Sequence, residues 1–306
     1  MLYDAIIVGA GPSGITASIY ASRRGLKTLV LERAVVGGLM LLAKDIENYP
    51  GFDRVPGEEL ANRMKNQAVN LGVEIGNEEV MGLDLNTETK TVTTRKDKYF
   101  AKSIILATGS KYRKLEVKGE EEFTGRGVSF CAICDAPFFA NKVVAVVGGG
   151  NSAVSDVLYL NDIARKTYLI HRRDELRAEE VRQRKLKESG VEVILNSVVE
   201  EIAGDKLVES IKLRDVKGAG KTRELRVDGV FISIGLVPTT LMAKEAGVKL
   251  DDEGFINVNR SQETNISGVF AAGDCTGGLK QITTATGEGS TAATSAYSYV
   301  RSPYWG

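Results

Sequence analysis

Two of the chain's three cysteines, Cys131 and Cys134, lie in FCAICDAP as a CxxC pair, with Asp135 directly after them. Thiols at this spacing serve as half of a metal site, as a structural clip, or as a dithiol that cycles with its disulfide. A zinc site needs further ligands, and the sequence has no second CxxC and only one histidine. No metal is expected. Three cysteines are too few for a disulfide-held secreted scaffold, and a clip is out of place in a reducing compartment. In a chain with nucleotide-binding βαβ units a redox dithiol is the favoured reading, with inert buried thiols as the plain alternative.

A redox dithiol needs an electron source, and two Gly-rich turns offer one. In GAGPSG, Gly9, Gly11, Pro12, Ser13 and Gly14 follow the apolar run AIIV and open a helix-like stretch. The first Gly permits the tight turn, the second lets a pyrophosphate approach the backbone, and the third lets helix and strand pack closely. Glu32 ends the next strand, where a carboxylate accepts the ribose hydroxyls of an adenosine. A free 2′-hydroxyl is then required, which selects FAD or NAD. The second turn carries Gly148, Gly150, Asn151, Ser152 and Ala153. At the position matching Glu32 stands His171, followed by Arg172 and Arg173. Guanidinium groups suit a 2′-phosphate that a carboxylate would repel, so this turn reads as an NADP(H) site with His171 in its phosphate pocket. Two dinucleotides on one chain imply electron transfer between them. A nicotinamide delivers hydride, and a flavin passes electron pairs to a disulfide.

The elements that must position these groups repeat one grammar. Strand, Gly turn, helix and strand run from Ala5 to Arg33 and again from Val143 to Arg173. Each is followed by β-rich sequence closed by an apolar strand ending in Gly, at 104–109 and 230–235. A third block, with GVFAAGDCTGG at 268–278 and a helix-like run after it, is too short for a domain and is expected to complete the first one. The predicted class is α/β: two Rossmann-like dinucleotide-binding domains, one at 113–240 inserted into another formed by 1–112 and 241–306.

Composition agrees. The formal net charge is zero, which argues against a global electrostatic role with nucleic acid or anionic membrane. No apolar run reaches the roughly 20 residues of a membrane span. The N-terminus enters a strand at once, which leaves no room for a signal peptide; a cytoplasmic location is expected.

Taken together, these residues resemble the low-molecular-weight, NADPH-dependent thioredoxin reductases of bacteria and archaea. The resemblance spans the chain: GAGPSG, VGGL at 36–39, ENYPGF at 47–52, ATG at 107–109, CAICD at 131–135, GGGNSA at 148–153, HRRDELRA at 171–178 and GVFAAGD at 268–274. It implies non-covalent FAD in the outer domain and NADPH in the inserted one, which also carries the CxxC. It implies that Cys134 faces the flavin, that Cys131 attacks the disulfide of thioredoxin or a thioredoxin-like protein, and that Asp135 manages protons. Gly37, Gly38, Leu39, Asn48, Ala107, Thr108, Gly109, Gly273, Asp274, Gln281 and Ile282 would join the first turn around FAD. Arg172, Arg173 and Arg177 would hold the 2′-phosphate.

The resemblance further implies a homodimer and a domain rotation, with hinges near Gly109–Ser110 and Gly235–Pro238. Many members have Gln where Leu39 stands and acidic residues where Ser155 and Asp156 stand. Two other functions share these features: a related flavin reductase serving a glutaredoxin-like protein, a peroxiredoxin system or a quinone, and a nucleotide-binding redox sensor. A dedicated peroxiredoxin reductase would usually carry a thioredoxin-like region ahead of the first strand. Cys275, without a CxxC partner, reads as a small buried side chain. The aromatic tail YSYVRSPYWG is expected to pack at a dimer contact or on the FAD domain.

Overall fold

In the strand Leu2–Val8, successive side chains point to opposite faces, and both faces are covered. Ala5 and Ile7 enter one buried cluster and Ile6 and Val8 another. From Ala5 to Val8 the strand is therefore apolar rather than alternating, while Asp4 near its start is held by Lys102. The same holds for Val143–Gly148, where Val144 and Val146 face one cluster and Ala145 and Val147 the other. The computed structural model describes residues 1–43, 45–218 and 220–301.

The chain divides into two units, 1–111 with 237–306, and 112–236. In the first, parallel strands run in the order Glu74–Asn77, Thr28–Glu32, Leu2–Val8, Lys98–Leu106, with Val269–Ala271 also pairing on the last. Lys90–Thr94 and Val80–Asp84 extend the sheet antiparallel. The late strand brings the chain's third block onto this sheet. The helix Ile282–Arg301 then lies along Pro12–Arg23, so close that a Cβ at Gly289 would stand 2.2 Å from the Ser13 carbonyl oxygen.

In the second unit the parallel order is Glu192–Ile194, Lys166–Ile170, Val143–Gly148, Gly229–Ser233, Val128–Ser129. An antiparallel sheet of Ser197–Gly204, Val208–Asp215 and Thr222–Arg226 follows. In both units the Gly turn leaves the carboxyl end of a central parallel strand. That is where open α/β sheets bind ligands.

The final helix carries the first residues of the aromatic tail. Tyr299 meets Phe270 edge to face, and Arg24 lies over the Tyr297 ring. Residues 302–306, the rest of that tail, lie outside the described residues. Among the described residues no helix is long and apolar enough to cross a membrane.

Candidate active site

The first Gly turn is built by contact rather than by caps. Gly9 has a φ of 103°, and a Cβ there would stand 2.3 Å from the Ala107 carbonyl oxygen. A Cβ at Gly14 would stand 1.9 Å from the Gly9 oxygen. Gly11 ends the turn in extended conformation before Pro12, the first residue of the helix, and a Cβ there would meet nothing within 4 Å. Open space thus lies before a helix N-terminus whose first N–H groups have no partner within the helix, the environment an anion fills.

Glu32 is fixed beside this space. One carboxylate oxygen accepts from Ala10 N at 2.8 Å and the other from Ala34 N at 2.9 Å, and each keeps a lone pair for a hydroxyl. Gly37 N bonds the Ala10 oxygen at 2.9 Å, so the Gly37–Gly38 loop folds over the turn. Gly38 comes within a Cβ contact of the Gly11 Cα. Leu39 is half-buried in the short 3-10 helix that follows and has no polar side-chain atom to offer.

The late segments close the ring. Gly273 approaches Ser13 so tightly that a Cβ would stand 2.5 Å from its Oγ. Asp274 accepts from Ser110 Oγ at 2.9 Å, while burial pushes its carboxyl above the ordinary range. Asn48 donates to the Gln281 Oε1 at 3.1 Å, joining two predicted flavin-side residues from opposite ends of the chain. Ile282 begins the final helix. Ala107 and Thr108 line Gly9, and Gly109 turns away with a φ of 67°.

Sequence reasoning missed Glu288. Its Oε2 accepts the Gly273 N–H at 2.7 Å and the Thr276 hydroxyl at 3.2 Å, which sets the turn that presents Asp274. Burial, with the Asp274 charge adding, pushes its carboxyl upward. Only the chain's return onto the first sheet reveals this role; a Glu in a helix carries no signal of its own.

The second turn repeats the arrangement with a different rim. A Cβ at Gly148 would collide with the Ser233 oxygen and Ala153, whereas one at Gly150 would meet nothing within 4 Å. Gly149 sits against the His171 ring, where a Cβ would be 2.2 Å away. His171 is 5% exposed, and its burial holds the imidazole below its usual pKa, so it is neutral at pH 7. Its Nε2 has no hydrogen-bond partner among the described residues. Arg177 N bonds the Gly149 oxygen at 2.7 Å, drawing the basic segment over the turn.

Arg172, Arg173 and Arg177 are exposed, and none forms an ion pair among the described residues. Asn151 is engaged in a reciprocal pair with Glu179, and Ser152 is exposed beside it. Ser155 accepts from Arg182, and Asp156, half-buried, bonds Ser233; its carboxyl is raised by burial.

Cys131 and Cys134 are joined as a disulfide, with an S–S distance of 2.11 Å. Cys131 caps the short helix Ala132–Asp135, its sulfur accepting from Cys134 N at 3.3 Å. Ile133 between them is 53% exposed. Asp135 is half-buried, and burial raises its carboxyl above the ordinary range, partly offset by a hydrogen bond from Ser129. Among the described residues no group of three or more His, Cys, Asp or Glu could hold a metal ion.

The sequence matches the pyridine nucleotide-disulphide oxidoreductase family over residues 3–289. A thioredoxin reductase of Listeria monocytogenes is 47% identical over 98% of this chain and 94% of its own length. The thioredoxin reductase of Bacillus subtilis is 43% identical over 98% of this chain and 95% of its own. The chain belongs to the thioredoxin reductases of this family. The crystal structure of thioredoxin reductase from Streptococcus pyogenes superposes with a TM-score of 0.93 at 41% identity, covering 99% of both chains. As a thioredoxin reductase the chain is an FAD-dependent oxidoreductase that uses NADPH. Both open helix N-termini, one beside a fixed carboxylate and one beside unpaired arginines, fit those two nucleotides.

Proposed function

We propose that the chain reduces the disulfide of thioredoxin or a thioredoxin-like protein, taking electrons from NADPH through FAD and the Cys131–Cys134 pair. The reading rests on one juxtaposition: a disulfide beside a half-buried acid, in a chain with two open nucleotide turns of opposite rim charge. When bound, FAD accepts hydride from NADPH and passes two electrons to a disulfide. The chain's own residues do the rest. Gly9, Gly11 and Gly14 clear space for the pyrophosphate. Glu32 takes the ribose hydroxyls, and Asp274, set by Ser110 and Glu288, holds the flavin's linker. Arg172, Arg173 and Arg177 take the 2′-phosphate, while His171 supports the turn from beneath.

At the dithiol, Cys134 receives electrons and Cys131 attacks the substrate disulfide. Attack needs a thiolate, and the sulfur released needs a proton. Asp135 supplies both transfers, and its raised pKa brings it closer to the pH at which it works. In this reading FAD belongs to segments 1–112 and 241–306 and NADPH to 113–240. Gly109–Ser110 and Gly235–Pro238 act as hinges; Gly109 and Gly235 hold φ values of 67° and 105°. The protein works as a cytoplasmic homodimer.

The test is a spectrum of the purified protein under anaerobic titration. NADPH is expected to bleach the flavin band far more effectively than NADH. Disulfide-form thioredoxin is expected to restore it in the wild type and not in Cys131→Ser. A flavin that stays oxidised with NADPH would overturn the arginine assignment.

A further inference from the structure

The mechanism above leaves one buried hydroxyl at the dithiol unexplained. Ser129 ends the strand Val128–Ser129, which pairs in parallel with Val230–Phe231, so the sheet fixes its backbone. Its side chain is 5% exposed. Its hydroxyl can donate one hydrogen bond and accept others. The 2.6 Å contact to the Asp135 Oδ2 takes the proton in preference to the Cys131 carbonyl oxygen, which lies 3.4 Å away. The same oxygen accepts the Cys131 N–H at 3.1 Å. One atom therefore ties the acid's carboxylate to the backbone of the attacking cysteine.

We propose that Ser129 is a positioning residue for thiol–disulfide exchange, holding Asp135 ionised and tethered to the backbone of Cys131. This rests on the reading of Asp135 as the acid–base group. In that reaction the substrate S–S bond breaks and the Cys131–Cys134 bond forms, and two electrons pass from the dithiol to the substrate sulfurs. Asp135 takes the Cys131 proton and gives it to the first sulfur released. It then takes the Cys134 proton and gives it to the second. Each cycle begins from the ionised carboxylate, the form that the Ser129 hydrogen bond favours. Without that bond the acidic limb of the pH profile moves to higher pH. A hydrogen bond to a charged group corresponds to a displacement of about one pH unit or somewhat more.

The experiment uses reduced holoenzyme and two readouts across pH: kcat/KM for thioredoxin disulfide, and the rate at which iodoacetamide alkylates Cys131, followed by mass spectrometry. Ser129→Ala is expected to shift the acidic limb of both profiles upward by about one unit. Ser129→Thr should restore it. In an Asp135→Asn background, Ser129→Ala should change nothing further. Ser129→Thr and Ser129→Val have nearly equal volume and differ by the hydroxyl, so they carry the same test if the alanine variant does not accumulate. An unmoved limb, a loss uniform across pH, or losses that add to those of Asp135→Asn would overturn the role of Ser129 and leave Asp135 standing. An Asp135→Asn enzyme that keeps the wild-type limb would overturn both.

Discussion

Replacing Arg172 and Arg173 tests the electrostatic division between the two nucleotide turns. Both are exposed and neither pairs with a carboxylate among the described residues, so their removal frees no buried charge and breaks no ion pair among those residues. In the proposed reading, what is lost is attraction to the 2′-phosphate. A phosphate of about two charges and a guanidinium about 4 Å apart attract by about 2 kcal/mol at the dielectric of water. Each replacement should thus raise KM for NADPH about 30-fold, at about 1.4 kcal/mol per decade. The double Arg172→Ala, Arg173→Ala variant should raise it by about 10²–10³, less at high salt, where screening weakens every surface charge. NADH has no 2′-phosphate, so its KM should stay within about twofold. Steady-state reduction of thioredoxin disulfide at low and high ionic strength, with each nucleotide, provides the assay. Equal losses with NADPH and NADH, or a change in NADPH preference that salt does not touch, would refute the reasoning.

Three further outcomes follow from the geometry. Gly14→Ala puts a Cβ 1.9 Å from the Gly9 oxygen and should give protein with little flavin and a Tm below that of flavin-free wild type; Gly11→Ala, with nothing within 4 Å, should also lose flavin, read from absorbance after gel filtration, yet keep the Tm of flavin-free wild type. Glu288 has a folded-state pKa raised above its unfolded value, so the native chain binds its proton more tightly and this group's contribution falls as pH rises through the folded value. Glu288→Gln, which keeps an acceptor for Gly273, should therefore compare with wild type more favourably at pH 8 than at pH 4.5 in thermal melts; a constant difference would refute this. Cys275 is fully buried and its thiol is pushed to about 11, leaving about 0.1% thiolate at pH 8. Iodoacetamide should spare it in reduced native protein while labelling Cys131, and Cys275→Ala should keep full activity.

The two nucleotide turns were legible because glycine there is a steric requirement. Gly9, Gly14 and Gly148 each stand where a Cβ would strike backbone, and such positions leave a mark in sequence. The apolar strands were legible because both faces of each sheet are covered. Glu32 and the arginines stand out in the sequence because they occupy matching places in two repeats with opposite charge, and the roles given to them belong to the proposed function. Ser129, Glu288 and the Asp156–Ser233 contact were not legible. Serines and carboxylates are common, and these acquire meaning only from segments that fold next to them, as when the final helix brings Glu288 beneath Gly273. The same limit applies to His171. Sequence gave its place in the repeat, but its burial against Gly149 depends on the backbone path of the turn.

In the proposed function, electrons leave this chain through the sulfur of Cys131 onto a protein disulfide. The most direct measurement offers a thioredoxin with a single cysteine, activated as its thionitrobenzoate mixed disulfide, to reduced Cys134→Ser and Cys131→Ser variants. Release of coloured thionitrobenzoate and intact mass report the covalent complex. Rapid release and a stable one-to-one complex are expected with Cys134→Ser, and neither with Cys131→Ser. A complex formed through Cys134 instead, or none with either variant, would contradict it.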